Sequence, residues 1–207
     1  MKLMMEGIIG SGKSFFGPII AKKIEEEFKE ECIFFPELVR DEFLGDLYRD
    51  IGDFPIKPSL VTTTFQFRAL LDRFKLEKAC DANKNRCVVD RSLFFDLAFV
   101  KLLRRNGFIL TRDYETYIDF RYTLISQINY EEQWIIVFLD FPVNTCLSQI
   151  EQRNRTYETN ITEDYLSALR NEYVQIMLHM ANVIVIRNQK HAVDEIMEQY
   201  REICSSK

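Results

Sequence analysis

The sequence predicts an α/β fold: a five-stranded parallel sheet flanked by helices on both faces, with a lid loop beyond the strand ends. Three observations carry this expectation. Short apolar runs alternate with longer amphipathic stretches along all 207 residues, and strand-then-helix repetition with right-handed crossovers is how parallel sheets are built. The runs are almost continuously apolar, as strands are when helices cover both of their faces. The first run leads into Gly7-Ile8-Ile9-Gly10-Ser11-Gly12-Lys13-Ser14, a glycine-rich turn set between a strand and a helix.

The strands are expected at 2–9, 32–35, 87–90, 134–140 and 182–186. Helical spacing of apolar residues marks 13–30, 59–82, 93–104, 113–129, 143–152, 162–180 and 193–203. Two connections read as irregular. Residues 45–58 hold two glycines and two prolines, a composition expected to join two helices as a loop. Residues 152–162 are polar and basic at their start, and form the candidate lid. Trp134, the aromatic stripe across 94–99 and the stretch 177–180 read as core. No internal repeat or linker interrupts the chain, so residues 1–207 are expected to form one domain.

The turn at 7–14 matches G-x-x-x-x-G-K-[ST], a phosphate-binding P-loop. Gly7, Gly10 and Gly12 let successive backbone N–H groups face one anion in conformations that a Cβ resists. Ser11 lies among them. Lys13 brings a point charge to the β- and γ-phosphates, and the Ser14 hydroxyl is a ligand for Mg²⁺. The anion then sits at a helix N-terminus, where the unpaired amides favour it. ATP with Mg²⁺ is the implied ligand.

The net charge of −5 offers no general attraction for nucleic acid or an anionic membrane. No apolar run approaches the roughly 18 residues of a membrane span. Cys32, Cys80, Cys87, Cys146 and Cys204 are scattered, and with two histidines in the chain no zinc spacing emerges. The first strand begins almost at Met1. These features lead to the expectation of a cytoplasmic protein with reduced thiols.

In doubly wound sheets ligands bind beyond the carboxyl ends of the strands, so chemistry is sought there. Glu37 follows the second strand; a carboxylate at that place either serves as a base for a hydroxyl nucleophile or merely caps a helix. Asp90 and Arg91 end the third. They read either as a Mg²⁺-facing Asp beside an Arg that neutralises phosphoryl charge, or as a structural ion pair. Phe65 and Gln66 lie on a helix with Arg73 two turns on; a glutamine amide can bond a nucleobase edge with Phe65 stacked beside it, and a solvated face is the alternative. Arg153 and Arg155 suit a phosphate clamp or a solvated helix end.

In chain order, Gly7–Ser14, Glu37-Leu38-Val39, Phe65-Gln66, Asp90-Arg91-Ser92 and Arg153-Asn154-Arg155 resemble the deoxyribonucleoside kinase family. Its members carry a P-loop, a Glu-Pro-Val type motif, a Phe-Gln helix, a [Glu/Asp]-Arg-Ser motif and an Arg-x-Arg lid. The resemblance implies a P-loop kinase fold and transfer of the ATP γ-phosphate to the 5′-hydroxyl of a deoxynucleoside, in a homodimer formed through two helices. It makes Glu37 the general base and places Arg91 near the reacting hydroxyl. Asp90 is implied at the metal, and Arg153 and Arg155 in the lid. Glu158 and Tyr48 are implied at the sugar 3′-hydroxyl, and Gln66 at the base. Members that accept cytosine and purine nucleosides pair an Arg and an Asp at the positions of Arg73 and Asp96, which implies deoxyadenosine, deoxyguanosine or deoxycytidine over thymidine. Leu38, for proline, and Glu42, for an aromatic residue, depart from the pattern.

Three other readings fit the sequence less well. A nucleoside monophosphate kinase of thymidylate kinase type shares the P-loop and the Asp-Arg motif, but its substrate has no need of a carboxylate at Glu37. A non-catalytic nucleotide binder would not require Lys13, Glu37, Arg91 and both lid arginines together. A GTPase-like switch would need D-x-x-G and N-K-x-D, and 83–86 read Asn-Lys-Asn-Arg.

Overall fold

Alternating apolar runs and amphipathic helices fold as the sequence predicts, in a computed structural model that describes residues 1–38, 41–52, 58–130 and 134–206. It leaves aside the side chains of 41, 42 and 50–52. The strands are β1 (Lys2–Glu6), β2 (Cys32–Phe35), β3 (Arg86–Asp90), β4 (Trp134–Leu139) and β5 (Val183–Ile186). All pair in parallel, in the order β2-β3-β1-β4-β5. Every residue of β1 and β4 is buried, whereas the edge strands β2 and β5 are only partly so. That gradient follows position in the sheet: WIIVFL and the central LMM of β1 have no polar face to give to water, and Lys2 and Glu6 are buried at the two ends of β1.

The helices are α1 (Lys13–Phe28), α2 (Asp41–Gly52), α3 (Leu60–Ala82), α4 (Leu93–Arg105), α5 (Thr111–Ile125), α6 (Val143–Arg153), α7 (Glu163–Met177) and α8 (Ala192–Ser205), with 3₁₀ turns η1 (Thr156–Glu158) and η2 (Gln189–His191). The first β-strand is shorter than expected, because Gly7 leaves extended geometry and carries Ile8 and Ile9 into the turn, where both remain buried. The region 45–58, expected as a loop, is helical up to Gly52. Leu44, Leu47 and Tyr48 supply an i, i+3, i+4 face that overrides Gly45. Residues 53–57 lie outside the described residues. Trp134 and Phe95 are core as expected, but Leu178, beyond α7, is 68% exposed. Among the described residues no helix is long and apolar enough to cross a membrane.

β3 and β4 pair on either side of β1, so Met5 lies level with both Asp90 and Val137. The chain therefore reverses its direction of sheet growth at β1, and the crevice at its carboxyl end is the expected ligand position.

Two buried acids support that crevice. Ser92 stands at the N-cap of α4, yet its hydroxyl turns away and donates to Glu6 Oε1 at 2.5 Å. The N–H of Leu93 is served from another helix instead, donating to Glu77 Oε1 at 2.6 Å, and the Tyr130 hydroxyl also donates to Glu77. Burial pushes Glu6 up to about 7 and Glu77 up to about 8. The raised value means that the fold holds the Glu77 proton where the unfolded chain has released it. This stability is complete below the ordinary carboxylate range and is lost as pH rises towards 8. Glu77→Gln keeps an acceptor for Leu93 without an ionisable group. Between pH 5.5 and 8.5 the parent should lose Tm relative to this variant by about 3 °C or more, given roughly 2–4 °C per kcal/mol for a chain of this size. A pH-independent difference in thermal melts would refute the assignment.

Candidate active site

The glycines of the P-loop are demanded by local geometry. Gly10 has φ 79°, and a Cβ there would lie 2.3 Å from the carbonyl oxygen of Cys146. Gly12, with φ 85°, caps α1 without a side chain to block the amides. Lys13 is buried and folded back on its own loop, donating to the carbonyls of Gly7 and Ile8 at 2.9 Å each and to Ser11 Oγ at 3.3 Å. Burial, with the charge of Arg91 nearby, lowers its ammonium to about 8. A lysine so placed ties the loop together through its own carbonyls and the Ser11 hydroxyl.

Next to it, the Ser14 hydroxyl donates to Asp90 Oδ2 at 2.6 Å. Asp90 Oδ1 is buried with no hydrogen-bond partner among the described residues, and burial raises the carboxyl. A hydroxyl and a carboxylate side by side are the oxygen donors that a hard divalent cation takes.

A cavity of about 470 Å³ opens above the loop. Of the residues singled out from sequence, Gly10, Gly12, Lys13, Ser14, Glu37, Tyr48, Phe65, Gln66, Arg73, Arg91, Arg153, Arg155 and Glu158 line it. Gly7, Ser11, Asp90 and Asp96 are buried and do not line it. Val39 and the Glu42 side chain lie outside the described residues.

Glu37 sits where two guanidiniums meet. Arg91 Nε donates to Glu37 Oε2 at 3.1 Å, and Arg73 Nη2 to Glu37 Oε1 at 3.0 Å. Burial opposes the charged form, but Arg91, Arg73 and Lys13 outweigh it and pull the carboxyl down to about 2. Arg91 is pinned from behind by the Gly7 carbonyl at 3.2 Å and the Tyr173 hydroxyl at 2.7 Å, the latter donor-rich geometry leaving Tyr173 as acceptor. It has φ 71°, left-handed backbone for a residue with a Cβ, a strained conformation of the kind that collects at functional sites. Arg73 also pairs with Asp96, which in turn accepts from the Tyr117 hydroxyl. Gln66 is 2% exposed and its amide faces the cavity.

At the lid, Arg153 grips Glu158 with two nitrogens, Nε at 3.1 Å and Nη2 at 2.6 Å, and Arg155 approaches it at 3.7 Å. Tyr48 is buried and stacks on Tyr157 with ring centroids 6.3 Å apart. Burial carries its hydroxyl well above the ordinary phenol range, so it stays protonated.

Sequence reasoning missed Leu44, Leu47, Phe99, Gln149 and Tyr165, which also line the cavity. Leu47 falls in the segment 45–58, expected as a loop, and Leu44 just before it, though their helical spacing was a usable signal. Phe99 belonged to a stripe read as core. Instead it lies beneath both arginines, 5.9 Å from Arg73 and 5.1 Å from Arg91. Gln149 and Tyr165 left no signal, since polar and aromatic residues are common on helices that cover a lid.

The chain is 25% identical over 184 residues to a deoxyadenosine kinase of Dictyostelium discoideum, covering 89% of this chain and 69% of that one. It is 24% identical over 190 residues to a deoxyguanosine kinase of the same organism, covering 89% of this chain and 62% of the other. In fold it is similar to a solved structure of deoxyadenosine kinase from M. mycoides with the products dCMP and a flexible dCDP bound. There the TM-score is 0.75 at 24% identity, over 98% of this chain and 100% of that one. The deoxynucleoside kinase profile matches residues 3–205. With a P-loop, a carboxylate held between arginines and a two-arginine lid around one cleft, this chain belongs to the deoxynucleoside kinase family and is an ATP-dependent kinase.

Proposed function

We propose that the phosphoryl acceptor is the 5′-hydroxyl of deoxyadenosine, deoxyguanosine or deoxycytidine, taken in preference to thymidine, and that Glu37 is the general base. The observation that carries this reading is Arg73. It lines the cleft, and the buried Asp96 pairs with it, so that a guanidinium fixed by an acid faces the place assigned to an amino-bearing base. A thymine presents a methyl group to the same place, and a buried polar pair left without partners penalises it.

The P-loop amides and Lys13 hold the phosphates of ATP. Ser14 and Asp90 fit Mg²⁺, which when bound screens the charge of the β- and γ-phosphates. Among the described residues no three His, Cys, Asp or Glu side chains cluster as a metal cage; this suits a cation that keeps water and phosphate ligands. Glu158 and the protonated Tyr48 hold the sugar 3′-hydroxyl, and Phe65 and Gln66 hold the base. Arg91 orients the acceptor oxygen, and Glu37 takes its proton as the oxygen meets the γ-phosphorus in line. Arg153 and Arg155 leave Glu158 for the phosphoryl oxygens, so the lid closes only when the sugar has replaced them there.

A coupled ADP-release assay with Mg-ATP tests the specificity. The expected result is kcat/KM for at least one of the three favoured nucleosides about tenfold or more above thymidine, the scale on which one pocket contact discriminates. Highest activity on thymidine would overturn the Arg73–Asp96 assignment. Turnover of dTMP alone would remove Glu37 from its role, because that acceptor oxygen carries no hydroxyl proton for it to take.

A further inference from the structure

We infer that Arg73 makes the chemical step conditional on the nucleobase: its guanidinium clamps Glu37, and a base that engages it draws it away and frees the carboxylate for the acceptor hydroxyl. The inference rests on the reading of Glu37 as general base.

Arg73 belongs to two places at once. It lies on α3 two turns beyond Gln66, on the same face. Nη2 bonds Glu37 at 3.0 Å, the end of the cleft assigned to the sugar hydroxyl, while Nη1 pairs with Asp96, the end assigned to the base. One side chain thus spans base recognition and proton transfer.

Of the two arginines that bond Glu37 among the described residues, Arg73 is the one a ligand can move. Arg91 is fixed by the Gly7 carbonyl and Tyr173, neither of which a nucleoside displaces. Arg73 Nε, by contrast, is buried and has no hydrogen-bond partner among the described residues. A ring nitrogen or exocyclic oxygen of a base supplies that missing acceptor. Asp96 stays in place because Tyr117, from α5, donates to it. The guanidinium therefore has a fixed anchor on the base side and a releasable bond on the catalytic side.

The groups that face Glu37 determine what the release does. They are Arg73 of α3, Arg91 and Asp90 at the end of β3, Lys13 at the start of α1, Tyr48 of α2 and Tyr173 of α7. With both arginines on it the carboxylate is a poor proton acceptor. Removing one guanidinium from contact returns it towards ordinary basicity. Selection among bases is then expressed in kcat as well as in KM, because a base that leaves Arg73 on Glu37 binds without switching on the acceptor step.

Carbon-13 NMR of carboxyl-labelled glutamate, with the Glu37 resonance assigned by Glu37→Gln, reads the clamp directly in the parent enzyme. In the free enzyme and with 1,2-dideoxyribose, a sugar without a base, Glu37 should stay ionised down to pH 4. With deoxyadenosine its midpoint should rise by about one pH unit or more towards the ordinary carboxylate range, with Arg91 and Lys13 still holding it below that range. In Arg73→Met the midpoint should already be raised without ligand, and deoxyadenosine should move it no further. A midpoint that deoxyadenosine leaves where it stands in the free enzyme overturns the inference, as does an Arg73→Met variant, folded by circular dichroism, with the parent's titration. The base assignment is judged separately by turnover. Unchanged kcat in Glu37→Gln removes the base, whereas a large loss of kcat with no NMR response removes only the coupling.

Discussion

Lys13→Ala should lower kcat/KM for ATP by about 10³-fold, the scale of losing a charged contact to a transferring phosphoryl group in a closed site. Two effects combine. The variant loses the ammonium that would neutralise the phosphates, and the loop loses the donor that now ties together the carbonyls of Gly7 and Ile8 and the hydroxyl of Ser11. The second effect predicts looser ATP binding even before chemistry. Measuring the ATP dissociation constant beside kcat separates them: both should worsen, with the greater part in kcat. Lys13→Met, which preserves the buried aliphatic stem, should fold as the parent and remain as inactive. A kcat within about tenfold of the parent would take Lys13 out of phosphoryl transfer.

Glu37→Gln should lower kcat by about 10²-fold or more while leaving nucleoside affinity largely intact, the pattern of a lost general base. The amide keeps the size of the carboxylate, so the cleft should hold its shape. Its charge is what disappears, and that leaves Arg91, 7% exposed, without the anion beside it and Arg73 with Asp96 alone. A loss of stability should accompany the loss of turnover, since unpaired buried charge is costly. The sign of the pH dependence is set by the depressed carboxyl. Its contribution is fully present above the ordinary carboxylate range and disappears as pH falls towards 2. The Tm difference between parent and variant should therefore be large at pH 7 and shrink in acid. Unchanged kcat would end the assignment of Glu37 as base, whatever the melting curves show.

The site divides by how its residues announce themselves. Gly7–Ser14 was legible because a phosphate cradle needs glycine, lysine and a hydroxyl at set intervals along a continuous stretch. Glu37, Asp90 and Arg91 were legible because the ends of parallel strands converge on one edge, so a charged residue after a buried run is already near the ligand. Helix α2 was not, although its apolar spacing was present, because Gly45 and the prolines at 55 and 58 weighed towards a loop. Phe99 could not be distinguished from core, since an aromatic that carries two guanidiniums and one that packs on leucine have the same pattern in the chain.

What the sequence determined by itself was the order of strands and helices, the phosphate loop and the polar residues set around it, because each depends on local spacing and composition. What only the tertiary structure decided was which charges meet. Arg73 and Glu37 are 36 positions apart and Tyr117 and Asp96 are 21 apart, while Glu77 reaches across from α3 to cap α4. Such pairs depend on the packing of whole helices, and their energies on burial and neighbouring charge, neither of which any single stretch of chain contains.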